Sequence, residues 1–356
     1  MQLENKEHLD KALERLRAFW RREVIGRPCL WVTAPNGTER RKIPAPPTVR
    51  ERWTDLDYLF ECQRERARTT HYAGEALPTH EPKLGPSIAN AWLGGELVFA
   101  EDTSWVHPHV REAAEMGALG LDRSGWAWNH YMKILRRSLE EGRGRWVTGY
   151  PDLHTGSDAL STGRGPEQFL VDLLESPEAV RAGMKRMTEL WKTVVDEVGA
   201  LVLPAGQGTA NWMAGWSEKR FVVLGQNDMT CMVSPAMFRE LFLEDNVECA
   251  RHVEHTIYHL DGPGAVGHLD AILGIAELGG VQWVPGAGNG PMQKWLPLLK
   301  RVQAAGKCLH ISVDPEEVPG LLAELRPEGL MICTGTRTRA EADALVKSAE
   351  KKPRKR

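Results

Sequence analysis

Residues 256–333 read TIYHLDGPGAVGHLDAILGIAELGGVQWVPGAGNGPMQKWLPLLKRVQAAGKCLHISVDPEEVPGLLAELRPEGLMIC. Short apolar runs at 256–260, 280–284, 307–311 and 329–333 are separated by stretches with apolar residues at three- and four-residue spacing. Such runs are strands buried on both faces, and the spacers at 265–275, 291–304 and 315–326 are amphipathic helices. Strands joined through helices pair in parallel, because a crossover must return the chain to the same edge. Upstream the pattern continues with strand 220–226 (RFVVLGQ) and helix 235–252, which opens on Ser234-Pro235, an N-cap followed by proline at the first helical position. Before that come helix 129–142, strand 145–150 (RWVTGY) and helices 166–174 and 177–198; a last helix covers 338–350. Unbroken alternation at this length predicts an α/β protein built as a closed (β/α)8 barrel of the TIM type rather than an open doubly wound sheet.

The first 128 residues are less regular. Helix 5–24 carries Leu9, Leu13, Leu16, Phe19 and Trp20 on one stripe, strand 28–34 follows, and helical spacing returns over 54–73. Residues 76–128 are rich in Gly, Pro, His and Trp without a period, which predicts a cover over the barrel. The division expected is therefore 1–128 as N-terminal helices and cover, 129–350 as the main part of the barrel, and 351–356 as a basic tail. Composition narrows function by exclusion. Hydrophobic residues at 42% and charged residues at 26% fit a globular chain, and a net charge of -3 gives no basic surplus for nucleic acid or an anionic membrane. No apolar run nears 18 residues and the N-terminus is charged, so a cytoplasmic protein is expected. The six cysteines lack CxxC spacing, as in a reduced protein, and Cys231, Cys249 and Cys308 read as packing thiols. Trp (13) outnumbers Phe (7) and Tyr (5) together, and Trp105 and Trp128 in the cover are candidate walls of a pocket.

In a barrel the chemistry sits where strands end. The strand ends supply Tyr150 and His154, then Gln226, Asn227 and Asp228, then His259 and Asp261, then Gln282 and Trp283, then His310, and finally Cys333. His259-x-Asp261 is the sharpest feature, because residues i and i+2 of a strand point to one side and can reach one ion. Cys333 as a third ligand gives the N/O/S set that zinc accepts, while His310 gives two histidines and a carboxylate, as in non-haem iron sites. Spacing alone leaves a metal site and a pair of substrate-binding groups equally open. Tyr150 and His154 are candidate acids or bases, Asp228 and Asn227 would orient substrate, and Gln226, Gln282, Trp283 and His310 would line it.

The string SPAMFRELFLEDNVECARHVEHTIYHLDG (234–262), with RGPEQFLVDLLESPEAV (164–180) and GLMICTGTRTRAEADALV (329–346), resembles the uroporphyrinogen decarboxylase-like superfamily. The likeness spans about 145–350, with a looser match at LGPSIANAWLGGELVF (84–99). It implies a (β/α)8 barrel with N-terminal helical additions and either of two activities. Metal-free decarboxylation of a tetrapyrrole relies on an N-terminal arginine motif that is absent here. Methyl transfer between a corrinoid and a thiol uses zinc held by His-x-Cys and a later Cys. His259 matches that histidine, Asp261 stands at the first cysteine, and Cys333 or Thr336 lies near the second. Carboxylate in place of thiolate makes the ion harder, which suits polarising a substrate oxygen or amine better than activating a thiol. The expectation is a methyltransferase of demethylase type acting on a small methylated molecule, with zinc and a corrinoid, or a corrinoid protein as partner, as implied companions and a homodimer left open. A decarboxylase of the same superfamily, using Asp228 to hold a substrate nitrogen, and a non-catalytic ligand-binding barrel are the alternatives.

Overall fold

The computed structural model describes residues 1–225 and 228–350. Gln226, Asn227 and the tail 351–356 lie outside the described residues. The strands in chain order are β1 (Cys29–Pro35), β2 (Thr70–Gly74), β3 (Thr79–His80), β4 (Leu97–Phe99), β5 (Ser104–Val106) and β6 (Val147–Thr148) in the first half. The second half contributes β7 (Phe221–Leu224), β8 (His255–Asp261), β9 (Gly280–Val284), β10 (Cys308–Ser312) and β11 (Leu330–Gly335). Seven of them make one sheet in the order β2-β1-β11-β10-β9-β8-β7, parallel throughout except that β2 runs antiparallel to β1. The fold is thus mixed α/β around a mostly parallel sheet, and the first 128 residues supply two of its strands.

Each central strand splits its side chains between two cores. From β1, Leu30 and Val32 join the outer layer under the helices, while Cys29 and Trp31 join an inner cluster with Tyr72, Phe221, Val223, Ile257, Met331 and Cys333. Burial on both faces explains why these strands are nearly continuous in apolar residues. The amphipathic helix Leu9–Arg21 sends Leu13, Leu16 and Phe19 into the inner cluster and meets the beginnings of the strands: the Cys29 thiol donates to the Arg15 carbonyl and the Cys308 thiol to that of Phe19. The 26-residue helix Pro177–Val202 buries Val180, Met184, Met187, Trp191, Val194 and Val198 at helical spacing in the outer layer.

Between β2 and β7 the hydrogen bonding continues in short pieces. The Val147 and Gly149 N–H groups donate to Pro78 and His80 carbonyls at 2.9 and 2.8 Å, and that of Tyr150 donates to Ala210 at 2.8 Å. Glycine is needed at 149, since a Cβ there would lie 2.8 Å from the Ala210 backbone.

Several expectations need correction. Helical spacing over 54–73 is resolved as helices Val49–Thr54 and Leu56–Thr69 followed by β2, whose Tyr72 and Ala73 are apolar enough to fit either pattern. The strand expected at 145–150 is β6 alone. The segment 76–128 holds the β4–β5 hairpin and helix Ile88–Trp92. Helix 235–252 breaks at Phe242 (φ -122°), and Ser234 caps its first half as expected, accepting the Met237 N–H. Helix Gly156–Arg164 (GSDALSTGR) was not foreseen, because its buried face is made of Ser, Asp, Gly and Ala as well as Leu. No described helix is long and apolar enough to cross a membrane.

Candidate functional site

Inward-facing positions alternate along β8, so Ile257 lies in the inner cluster and His259 and Asp261 follow it towards the C-terminal end of the strand. Register sets their neighbours: His259 pairs with Gln282 on β9, and Gln282 with His310 on β10. Gln282 Oε1 lies 2.6 Å from His259 Nδ1. A carbonyl oxygen only accepts, so Nδ1 carries the proton and the Nε2 lone pair is left for another partner. That partner side holds carboxylates: Asp261 Oδ2 is 3.9 Å from Nε2, and one ligand atom from each of Asp228, His259 and Asp261 lies within 4.8 Å of the others. Trp212 stands edge-on to the His259 ring at 5.2 Å.

Asp228 reaches this cluster from the short 3-10 turn Asp228–Met232 that follows β7. Its own N–H and that of Met229 donate to the Asp158 carboxylate at 2.9 and 3.3 Å. Asp158 sits in the first turn of Gly156–Arg164, and burial raises its pKa to about 6 against the opposing charge of His154. His154 lies 3.9 Å from both Asp158 and Asp152. Beyond β3, Glu81 accepts the Asp152 N–H and pairs with Lys83 at 3.6 Å, and burial lifts its carboxyl to about 7. Five carboxylates and two imidazoles thus form one continuous polar array across the strand ends.

Other candidates fall elsewhere. Cys333 is not in reach of the three-residue cluster: its thiol contacts His310 Nε2 at 3.3 Å inside the inner core, and burial raises its pKa. His310 Nε2 donates to the Ala214 carbonyl at 2.7 Å, and burial lowers its pKa to about 4, which keeps the ring neutral. The third group beside His259 and Asp261 is therefore Asp228, in place of Cys333 or His310. Tyr150 points to the outer layer, where a Cβ on Gly199 would lie 2.7 Å from its hydroxyl, so it does not serve the strand ends. Trp283 is on the opposite face of β9 from Gln282, buried against Trp295 with ring centres 4.7 Å apart. Trp105 is 42% exposed on the hairpin. Trp128 is a core residue, edge-on to Trp92 at 5.1 Å. The aromatic that the 76–128 segment does bring towards His154 is Trp92, in an apolar cleft with Leu153, Met187 and Trp191.

No family model and no curated protein matches the sequence. The fold does match solved structures. The fold is similar to that of a methyltransferase from Methanosarcina mazei, with a TM-score of 0.59 over 96% of this chain and 98% of that chain, at 13% identity. At that identity the likeness is one of fold.

The sequence carried no periodic sign of Asp158 or Glu81. Asp158 lies on a helix whose small polar residues hide its period, and Glu81 follows a two-residue strand.

Proposed function

We propose that the chain is a methyltransferase-type enzyme of the uroporphyrinogen decarboxylase-like superfamily, acting on a small methylated molecule at Asp228, His259 and Asp261. The sheet and the short pieces at β3, β6 and 209–211 would together form the (β/α)8 barrel. The reading rests chiefly on one observation, the convergence of an imidazole and two carboxylates at the strand ends of a fold shared with a methyltransferase.

The donor set fits a divalent cation: one imidazole with its lone pair freed by Gln282 and two carboxylates suit zinc or a harder ion, and leave positions open for substrate. When bound, such an ion supplies Lewis-acid polarisation of a substrate oxygen or nitrogen. The residues do the rest. Gln282 sets the His259 tautomer, Asp158 holds Asp228 in place, and Trp212 walls the histidine. His154 and Asp158, 3.9 Å apart, are placed to hold and pass a proton. The carboxylates favour a neutral or cationic methyl-bearing molecule and oppose a polyacid, which argues against the decarboxylase reading. A corrinoid as methyl carrier and a cytoplasmic location complete the proposal.

The test is a zinc or cobalt titration of the metal-stripped chain followed by calorimetry. Wild type should bind one ion, His259→Ala should weaken binding by about 100-fold or more, and Cys333→Ser should leave it unchanged. Loss of binding in Cys333→Ser, or no binding by wild type, would overturn the assignment.

A further inference from the structure

At the opposite end of the strands, before β1, two arginines share one carboxylate and a lysine lies beside them. Arg27 grips Glu75 with both terminal nitrogens, at 2.6 and 3.0 Å, and Arg15 approaches the same group at 3.4 Å. The Lys6 ammonium donates to the carbonyls of Tyr72 and Gly74, at 2.9 and 2.6 Å. Arg27 is 3%, Lys6 8% and Glu75 0% exposed, so the surplus positive charge sits largely away from water. Burying charge without a counter-charge is costly, and the neighbours register it: burial, reinforced by Arg27 and Arg15 against the pull of Glu75, brings the Lys6 pKa down to about 8.

These groups line a cleft of about 380 Å³, a size that accommodates a small metabolite. Arg27, one of its lining residues, buries its Nε without a hydrogen-bond partner, the Glu350 carboxylate standing 3.8 Å away, beyond bonding distance. The helix Leu9–Arg21 starts at the cleft with His8, whose side chain makes no capping bond and whose φ of 55° is a costly conformation outside glycine. An uncapped helix start adds free N–H groups and a positive pole. Lys11 and Lys347 stand exposed on the rim, where the acids Glu7 and Asp343 are engaged by Arg339 at 2.9 and 3.6 Å.

We propose that this cleft between the first and last helices binds the phosphate group of a small phosphorylated molecule, at a site separate from the Asp228–His259–Asp261 cluster. A dianionic oxyanion matches the surplus of charge, the unpartnered Arg27 Nε and the helix N–H groups in one ligand.

The experiment is a calorimetric titration of the full chain with inorganic pyrophosphate, in EDTA and at constant ionic strength. Saturable one-site binding with a Kd below about 1 mM is expected. The double rim variant Lys11→Glu/Lys347→Glu should weaken it about tenfold or more while the melting temperature without pyrophosphate stays as in wild type. Absence of saturable binding up to roughly 10 mM, or equal affinity in the double variant, would overturn the proposal.

Discussion

Replacing Asp245 by Asn should make the protein more stable at neutral pH. Asp245, on helix Leu243–His252, is buried and accepts the Thr188 hydroxyl on one oxygen and the Gly156 N–H on the other at 3.1 Å. Its pKa is pushed up to about 6, with burial as the main cause and the hydrogen bonds from Thr188, Gly156 and the Cys249 thiol opposing it. From an ordinary 3.8 that is about two units, or roughly 3 kcal/mol by which the charged carboxylate disfavours folding at pH 7.5. Asparagine carries no such charge and can remake both bonds. Its oxygen would accept from Gly156, while its NH2 donates to the Thr188 hydroxyl, whose own proton then turns to the Met184 carbonyl 3.0 Å away. A gain of about 1–3 kcal/mol in urea unfolding at pH 7.5 is therefore expected. Because the folded pKa lies above the unfolded one, folding takes up a proton between about pH 4 and 6, so wild-type stability falls as pH rises through that window. The gain from Asp245→Asn should shrink to nothing near pH 4. A destabilised variant at pH 7.5, or a gain of equal size at pH 4, would refute the reasoning.

Gln282→Leu should release the His259 tautomer and weaken zinc or cobalt binding about 10- to 100-fold at unchanged melting temperature, read by calorimetric titration. Asp158→Ala should loosen the Asp228 turn and also weaken metal binding, whereas Asp158→Asn, which still accepts one N–H, should lose less; equal affinity in both would free Asp228 from this dependence. Trp128→Ala should cost about 3–5 kcal/mol in urea unfolding, as a buried aromatic, and Trp105→Ala less than about 0.5 kcal/mol.

The parallel half of the fold was legible because β8 to β11 are buried on both faces, and their apolar runs are interrupted only by the residues that matter. His259, Asp261 and Gln282 were visible for the same reason: each is a polar residue in an otherwise apolar strand. The rest was hidden by context. β2 follows Leu56–Thr69 without a break, and Tyr72 and Ala73 suit helix and strand alike. Which face Trp283 and Tyr150 occupy depends on a one-residue phase along short strands, and that phase is set by partners far away in sequence. Cys333 and His310 share the inward face but lie within the core, below the Asp228–His259–Asp261 cluster, a difference of depth that no spacing rule conveys. Asp158 entered the site through backbone N–H groups, which a list of side chains does not contain.

The pairing of β1 with β11 also governs how the chain reaches its final form. Leu30 stands opposite Ile332, so the edge of an early strand waits for about 300 further residues before its partner exists. At a synthesis rate of about 5–20 residues per second, that wait lasts roughly 15–60 seconds. During it β1 has only the antiparallel β2 to cover its other side, and Trp31, destined for the inner cluster, has few of its partners. The nascent protein therefore spends most of its synthesis with an unsatisfied apolar edge, and its yield in cells should depend on chaperones that bind such edges until the last strand emerges.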